Sequence, residues 1–214
     1  MQQPESETRH WMAGEWLSRS ALAPLAELNR QCLDLVVSGC GEGFGTAAQQ
    51  AIARRVAALD EDARSGLAAA PYLLADAGFD DAARWQVASR WRVADVPRDG
   101  VPSVFALPSA SASTLVRGVL VYSWHLARAH RQLARVVLGM SPACAQVIAE
   151  LSLSDLEWVS ENRPGWLCLR WESRARLWES LIAAAQLGDR QALRRASLRG
   201  IQLLGALALE RRGA

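Results

Sequence analysis

Apolar residues recur at steps of three and four along most of this 214-residue chain. That period matches one face of an α-helix and not the two-residue alternation of a strand. Between residues 22 and 37, Leu22, Leu25, Leu28, Cys32, Leu35 and Val36 keep to it, which predicts an amphipathic helix. Further helices are predicted over 46–59, from Asp60 through Ala69, from Asp80 to near Trp91, over 173–187 and over 190–209. The longest pattern runs through Leu115, Val119, Tyr122, Leu126, Ala129, Leu133 and Val137 and predicts one helix of about six turns. The predicted fold class is all-α, a helical bundle with at most one short extended arm near 166–171.

Punctuation supports these boundaries. Gly139 ends the long helix, and Ser141-Pro142 supplies an N-cap followed by proline at the first helical position. Ser154-Asp155-Leu156-Glu157 reads as a capping box for a short helix. After a turn at Asn162-Arg163-Pro164-Gly165, the run Trp166-Leu167-Cys168-Leu169-Arg170-Trp171 reads as extended. Residues 38–45 hold four glycines. Phosphate-cradling glycines follow a strand, whereas these follow a helix, so a helix–helix connection is expected. Three prolines, Gly100 and four serines between Val93 and Ser113 mark the best domain boundary. It divides an acidic helical region, 1–92, from a basic one, 115–214, through a Pro/Ser-rich connection, 93–114.

Charge follows the same division. Residues 1–114 carry 10 arginines and 14 acids, net −4, whereas 115–214 carry 14 arginines and 8 acids, net +6. No acid stands between Asp99 and Glu150. In that interval Arg117, Arg128, Arg131 and Arg135 fall on one stripe of the single predicted helix. They are the candidate contacts to nucleic acid or an acidic partner.

All 24 basic residues are arginine. Without lysine there is no Walker-type phosphate loop, no Schiff-base chemistry and no kinase-type strand lysine. Cys32, Cys40, Cys144 and Cys168 are too far apart for a CxxC pair, and His125 and His130, five apart, do not chelate one ion from a helix face. No metal or other cofactor is expected. Adjacent acids such as Asp60–Glu61 and Asp80–Asp81 sit at predicted helix starts, where capping explains them. The first 19 residues contain no apolar run of the signal-peptide kind, and the longest uncharged stretch, 100–116, carries two prolines. A cytoplasmic protein with no membrane contact is therefore expected.

The two short helices after Ser141 raise a helix-turn-helix reading, but bulky Leu153 stands in the turn and the second helix offers Asp155, Glu157 and Trp158 rather than arginine. A different likeness covers somewhat under half of the chain. It runs through Leu138-Gly139-Met140-Ser141, Ala149-Glu150-Leu151-Ser152-Leu153-Ser154-Asp155-Leu156, Glu161-Asn162, Leu167-Cys168-Leu169-Arg170-Trp171 and Leu198-Arg199-Gly200-Ile201-Gln202-Leu203-Leu204. In order and spacing these resemble the FlhD family, helical subunits of a flagellar transcriptional regulator. Cys168 stands one position from the cysteine in that family's arm, and the N-terminal half has no counterpart there.

The resemblance implies a non-enzymatic transcriptional regulator subunit that forms a homodimer and reaches DNA indirectly, with a protein partner. The dimer would use the long-helix seam and the arm. Tryptophan is enriched at interface hot spots, so Trp158, Trp166, Cys168, Arg170 and Trp171 are the candidate protein interface. The alternative is a cytoplasmic adaptor or chaperone-like protein of a secretion or motility system, without DNA binding.

Overall fold

The computed structural model describes residues 19–39, 46–88 and 110–210. Among them stand ten α-helices and one two-stranded sheet, so the all-α class holds. In chain order these are α1 (Arg19–Ser38), α2 (Ala47–Ala57), α3 (Glu61–Ala68), β1 (Ala75–Asp76), α4 (Ala82–Ala88), α5 (Ala110–Ala129) and α6 (Arg131–Leu138). There follow α7 (Pro142–Glu150), α8 (Leu153–Asn162), a short 3-10 turn (Pro164–Trp166), β2 (Cys168–Leu169), α9 (Ala175–Gln186) and α10 (Arg190–Glu210). The glycine run from Cys40 to Gly45, the predicted end of the fourth helix at Trp91, and most of the 93–114 connection lie outside the described residues. Among the described residues no single helix is long and apolar enough to cross a membrane.

Helix starts are set by local chemistry. Thr46 and Gln49 cap α2 reciprocally. The Asp60 carboxylate accepts from the Ala63 N–H at 2.8 Å, and Asp189 accepts from Gln191 and Ala192, both at 2.9 Å. Ser141 accepts from Cys144 at 3.1 Å, with Pro142 following it. Each satisfies backbone donors that the first turn leaves without helical partners.

Two expectations are corrected and one is narrowed. The long helix is two: His130, at φ −144° and ψ 63°, separates α5 from α6. The break disturbs little hydrogen bonding, because the His130 N–H still reaches Leu126 at 2.8 Å and its carbonyl accepts from Ala134 at 3.0 Å. Tertiary packing sets the bend, since α5 lies against α1, α7 and α8 while α6 turns toward α7 and α10. Second, the capping box of α8 is Ser152–Asp155, two residues earlier than the Ser154–Glu157 pair. The short extended segment expected near 166–171 is present as β2, which pairs antiparallel with β1 of the same chain in the register Ala75–Leu169 and Asp76–Cys168. That pairing joins the acidic and basic regions.

The compositional boundary does not divide the core. One hydrophobic cluster contains Leu25 and Leu33 of α1, Leu67 of α3, Leu115 and Leu126 of α5, and Trp178 of α9. It also takes in the segment between α3 and β1, where Tyr72, Leu73 and Leu74 are fully buried. Each such side chain contributes about 1.5–3 kcal/mol through removal from water, but burial brings polar backbone with it, and that backbone must be paired.

Two side chains meet this demand. The amide of buried Asn29 donates to the carbonyls of Ala68 (3.1 Å) and Tyr72 (2.9 Å) and accepts from the Leu74 N–H at 2.8 Å. The guanidinium of Arg170, only 5% exposed, donates to the carbonyls of Leu73 (2.8 Å), Ala75 (3.0 Å) and Leu138 (2.8 Å). Leu138 ends α6, so the cation also sits at the negative end of that helix dipole. At Gly139, φ is +68° and an added Cβ would lie 2.8 Å from Leu204 and 3.0 Å from the guanidinium. Glycine is needed there for conformation and for space.

Candidate anion-binding groove

The last two helices form a hairpin through Leu187, Gly188 (φ +63°) and Asp189. Apolar spacing dictates which faces meet: Trp178, Leu181, Ile182 and Ala185 of α9 and Ala196 and Leu204 of α10 are buried. The opposite face of α10 is exposed and carries Arg190, Arg194, Arg195 and Arg199, with no acid before Glu210. Where this helix runs beside the start of α9, an open groove of about 1040 Å³ forms. Leu177, Leu203 and Ala206 give it an apolar floor, and Arg174, Arg176 and Arg199 stand around it.

Those three arginines are exposed and form no ion pair among the described residues. The acid in the groove lining, Glu179, lies 3.8 Å from the Arg55 guanidinium of α2. The local field is therefore positive, over a surface that is partly apolar. Such an arrangement attracts anions and steers their approach.

The arginines singled out by sequence are dispersed by the α5–α6 break and do not share one helix stripe. Arg117 is paired with Glu157 and lies 4.0 Å from Glu161, both on α8. The Arg128 guanidinium stacks 4.6 Å from the Trp124 ring centre. Arg131 is exposed at the start of α6, and Arg135, half-buried, donates to Gln132 at 3.2 Å.

Of the expected interface residues, Trp166 and Arg170 are buried, and Trp158, Cys168 and Trp171 are half-buried. Trp166, 6% exposed, meets Trp85 edge-on at 5.3 Å, with the Arg84 guanidinium 4.3 Å over its ring. Trp171 meets Tyr72 edge-on at 5.0 Å and has a left-handed backbone, φ +54°. Cys168 lies in β2 with its Sγ 3.3 Å from the Asp76 carbonyl oxygen. Trp158 is half-buried, and its carbonyl accepts from Asn162 at 2.9 Å. Arg170 is the clamp described above. Trp166, Cys168, Arg170 and Trp171 seat the 166–171 segment on residues 72–85 of their own chain.

Burial lowers the reactivity of the three described thiols. Burial pushes the Cys32 thiol up to about 12, and burial aided by Asp76 and Glu172 does the same to Cys168. Cys144 is raised by burial and by Asp80, Asp76 and Asp81. These thiols remain protonated and are poor nucleophiles. Among the described residues no group of three His, Cys, Asp or Glu side chains is placed to hold a metal ion. A smaller cleft of about 410 Å³ between α4, α7 and α8 is lined by Gln86, Gln146, Glu150 and Asp155, and the Asp155 carboxylate caps α8.

The groove arginines Arg174, Arg176 and Arg199 were not among the residues that sequence singled out. Their signal was the acid-free run of α10 and the excess of 14 arginines over 8 acids after residue 114. No protein-family model, curated protein or solved structure matches the chain.

Proposed function

We propose that the chain is a non-enzymatic interaction subunit that engages a polyanionic partner through the α9–α10 groove. The observation that carries this reading is the set of three arginines that form no ion pair among the described residues, beside apolar lining, with the neighbouring glutamate held by Arg55. Buried, protonated thiols support a binding role over a catalytic one.

Two settings suit such a subunit. The FlhD resemblance and the net charge of +6 after residue 114 support a regulator of flagellar transcription, a homodimer that acts in the cytoplasm with a protein partner on DNA. The burial of the arm within its own chain supports the other, an adaptor or chaperone-like protein that binds an acidic protein and no DNA. Sedimentation of the purified chain separates them in part, since the first setting requires a dimer.

The reading itself is tested on immobilised heparin, used as a generic polyanion. The double variant Arg174→Glu/Arg199→Glu should elute at clearly lower salt than the parent chain, because displaced counterions set the salt dependence. Unchanged elution of a folded variant removes the groove as the anionic contact.

A further inference from the structure

We infer that the α9–α10 groove takes an acidic amphipathic helix of a protein partner, an inference that rests on the groove being the anionic contact. A phosphate backbone needs cations alone, and single-stranded nucleic acid adds aromatic platforms on which bases stack. Among the described residues its lining holds no aromatic side chain; the apolar lining residues include Leu177, Leu203 and Ala206. Aliphatic floor and cationic rim together match helix-in-groove recognition, in which apolar anchors at i, i+3 or i+4 and i+7 enter the groove and the polar face meets the rim.

The small residues at the far end of α10 leave room for close approach. A Cβ built at Gly205 meets nothing within 4 Å, and the adjacent Ala206 lines the groove. Charge selects the partner's sign. Arg174, Arg176 and Arg199 flank the floor, and α10 carries no acid before Glu210 to compete for them. The partner helix is therefore leucine-like on one face and rich in carboxylates beside it. Its carboxylates gain charge-assisted hydrogen bonds from guanidinium groups.

The test is fluorescence anisotropy on the full chain with three labelled probes. One is a designed peptide with leucines on one helical face and glutamates flanking them; the second has the same composition with the leucines scattered round the helix; the third is a DNA duplex. The amphipathic peptide should bind at least about tenfold more tightly than its scattered form. Arg199→Glu and Ala206→Trp, both at exposed positions, should each weaken it about tenfold, by repulsion and by filling the floor. Arg30→Gln, on α1 and outside the groove lining, should leave binding unchanged, and circular dichroism confirms that each variant is folded. Equal binding of both peptides overturns the helix inference and leaves a polyanion contact standing. So does tighter binding of DNA that depends on Arg199. Absence of any Arg199-dependent binding removes the inference and the proposed function together.

Discussion

Asn29 and Arg170 meet across Leu74: the Asn29 side chain accepts from the Leu74 N–H at 2.8 Å, and the Arg170 backbone N–H donates to the Leu74 carbonyl at 2.8 Å. One residue from the first helix and one from the basic half thus satisfy both polar groups of a fully buried residue. The segment between α3 and β1 keeps its irregular path because those partners are fixed, and the β1–β2 pairing continues from it.

Removal of the Asn29 amide tests this arrangement. Asn29→Ala leaves the Leu74 N–H and the carbonyls of Ala68 and Tyr72 without these partners. A buried polar group left unpaired costs about 1–3 kcal/mol, so the variant should lose at least about 3 kcal/mol. Urea denaturation should show a lower midpoint at an unchanged slope. A loss under about 1 kcal/mol would show that water takes over the role.

Arg170→Lys preserves charge but not geometry. The guanidinium spans the carbonyls of Leu73, Ala75 and Leu138 with nitrogens in one plane; an ammonium is a point donor on a flexible stem. A loss of about 3 kcal/mol is expected, which for a chain of this size lowers Tm by roughly 6–12 °C. Calorimetry on the parent and variant measures it directly.

Local signals were legible in the sequence, and relations between distant residues were not. Thr46, Asp60, Ser141 and Asp189 cap helices through hydrogen bonds that span three residues or fewer, so their pattern is readable in a line. His130 carries no such signal; neither glycine nor proline, it bends the chain because α6 packs elsewhere than α5. Ser152 and Ser154 both precede an acid by three positions, and only the assembled structure selects Ser152. The arm was legible as extended but not as paired with β1, because the two strands lie far apart in sequence. The candidate site divides in the same way. An excess of arginine after residue 114 was countable, but whether a given arginine is committed depends on its neighbours: α8 presents Glu157 to Arg117, whereas Arg199 forms no ion pair among the described residues.

Gly200 and Tyr72 offer a test of packing. A Cβ at Gly200 would come within 2.5 Å of three atoms of the Tyr72 ring and hydroxyl, and Tyr72 is itself fully buried. Gly200→Ala lies in a helix, where alanine is otherwise favoured by about 1 kcal/mol. Overpacking should reverse that sign and destabilise by about 1–3 kcal/mol. In a double-mutant cycle with Tyr72→Leu, the alanine should become less harmful, giving a coupling above about 0.5 kcal/mol. Additive effects would place the strain elsewhere.

Alkaline pH should unfold the protein through its buried weak acids. Cys32 and Cys168 are raised from an ordinary 9.0 to about 12, and Tyr72 and Tyr122 from 10.0 to about 12, in each case chiefly by burial. Above pH 9 the unfolded chain releases these protons while the native chain retains them. The unfolded state then binds fewer protons, so stability falls as pH rises. The contribution is fully present below pH 9 and is lost between 9 and about 12. Each titrating group adds at most about 1.4 kcal/mol per pH unit to the slope. Urea midpoints measured across this range should decline, and Cys32→Ala, which deletes one of the groups, should make the decline shallower. A profile as steep in Cys32→Ala as in the parent would assign the alkaline loss to other groups.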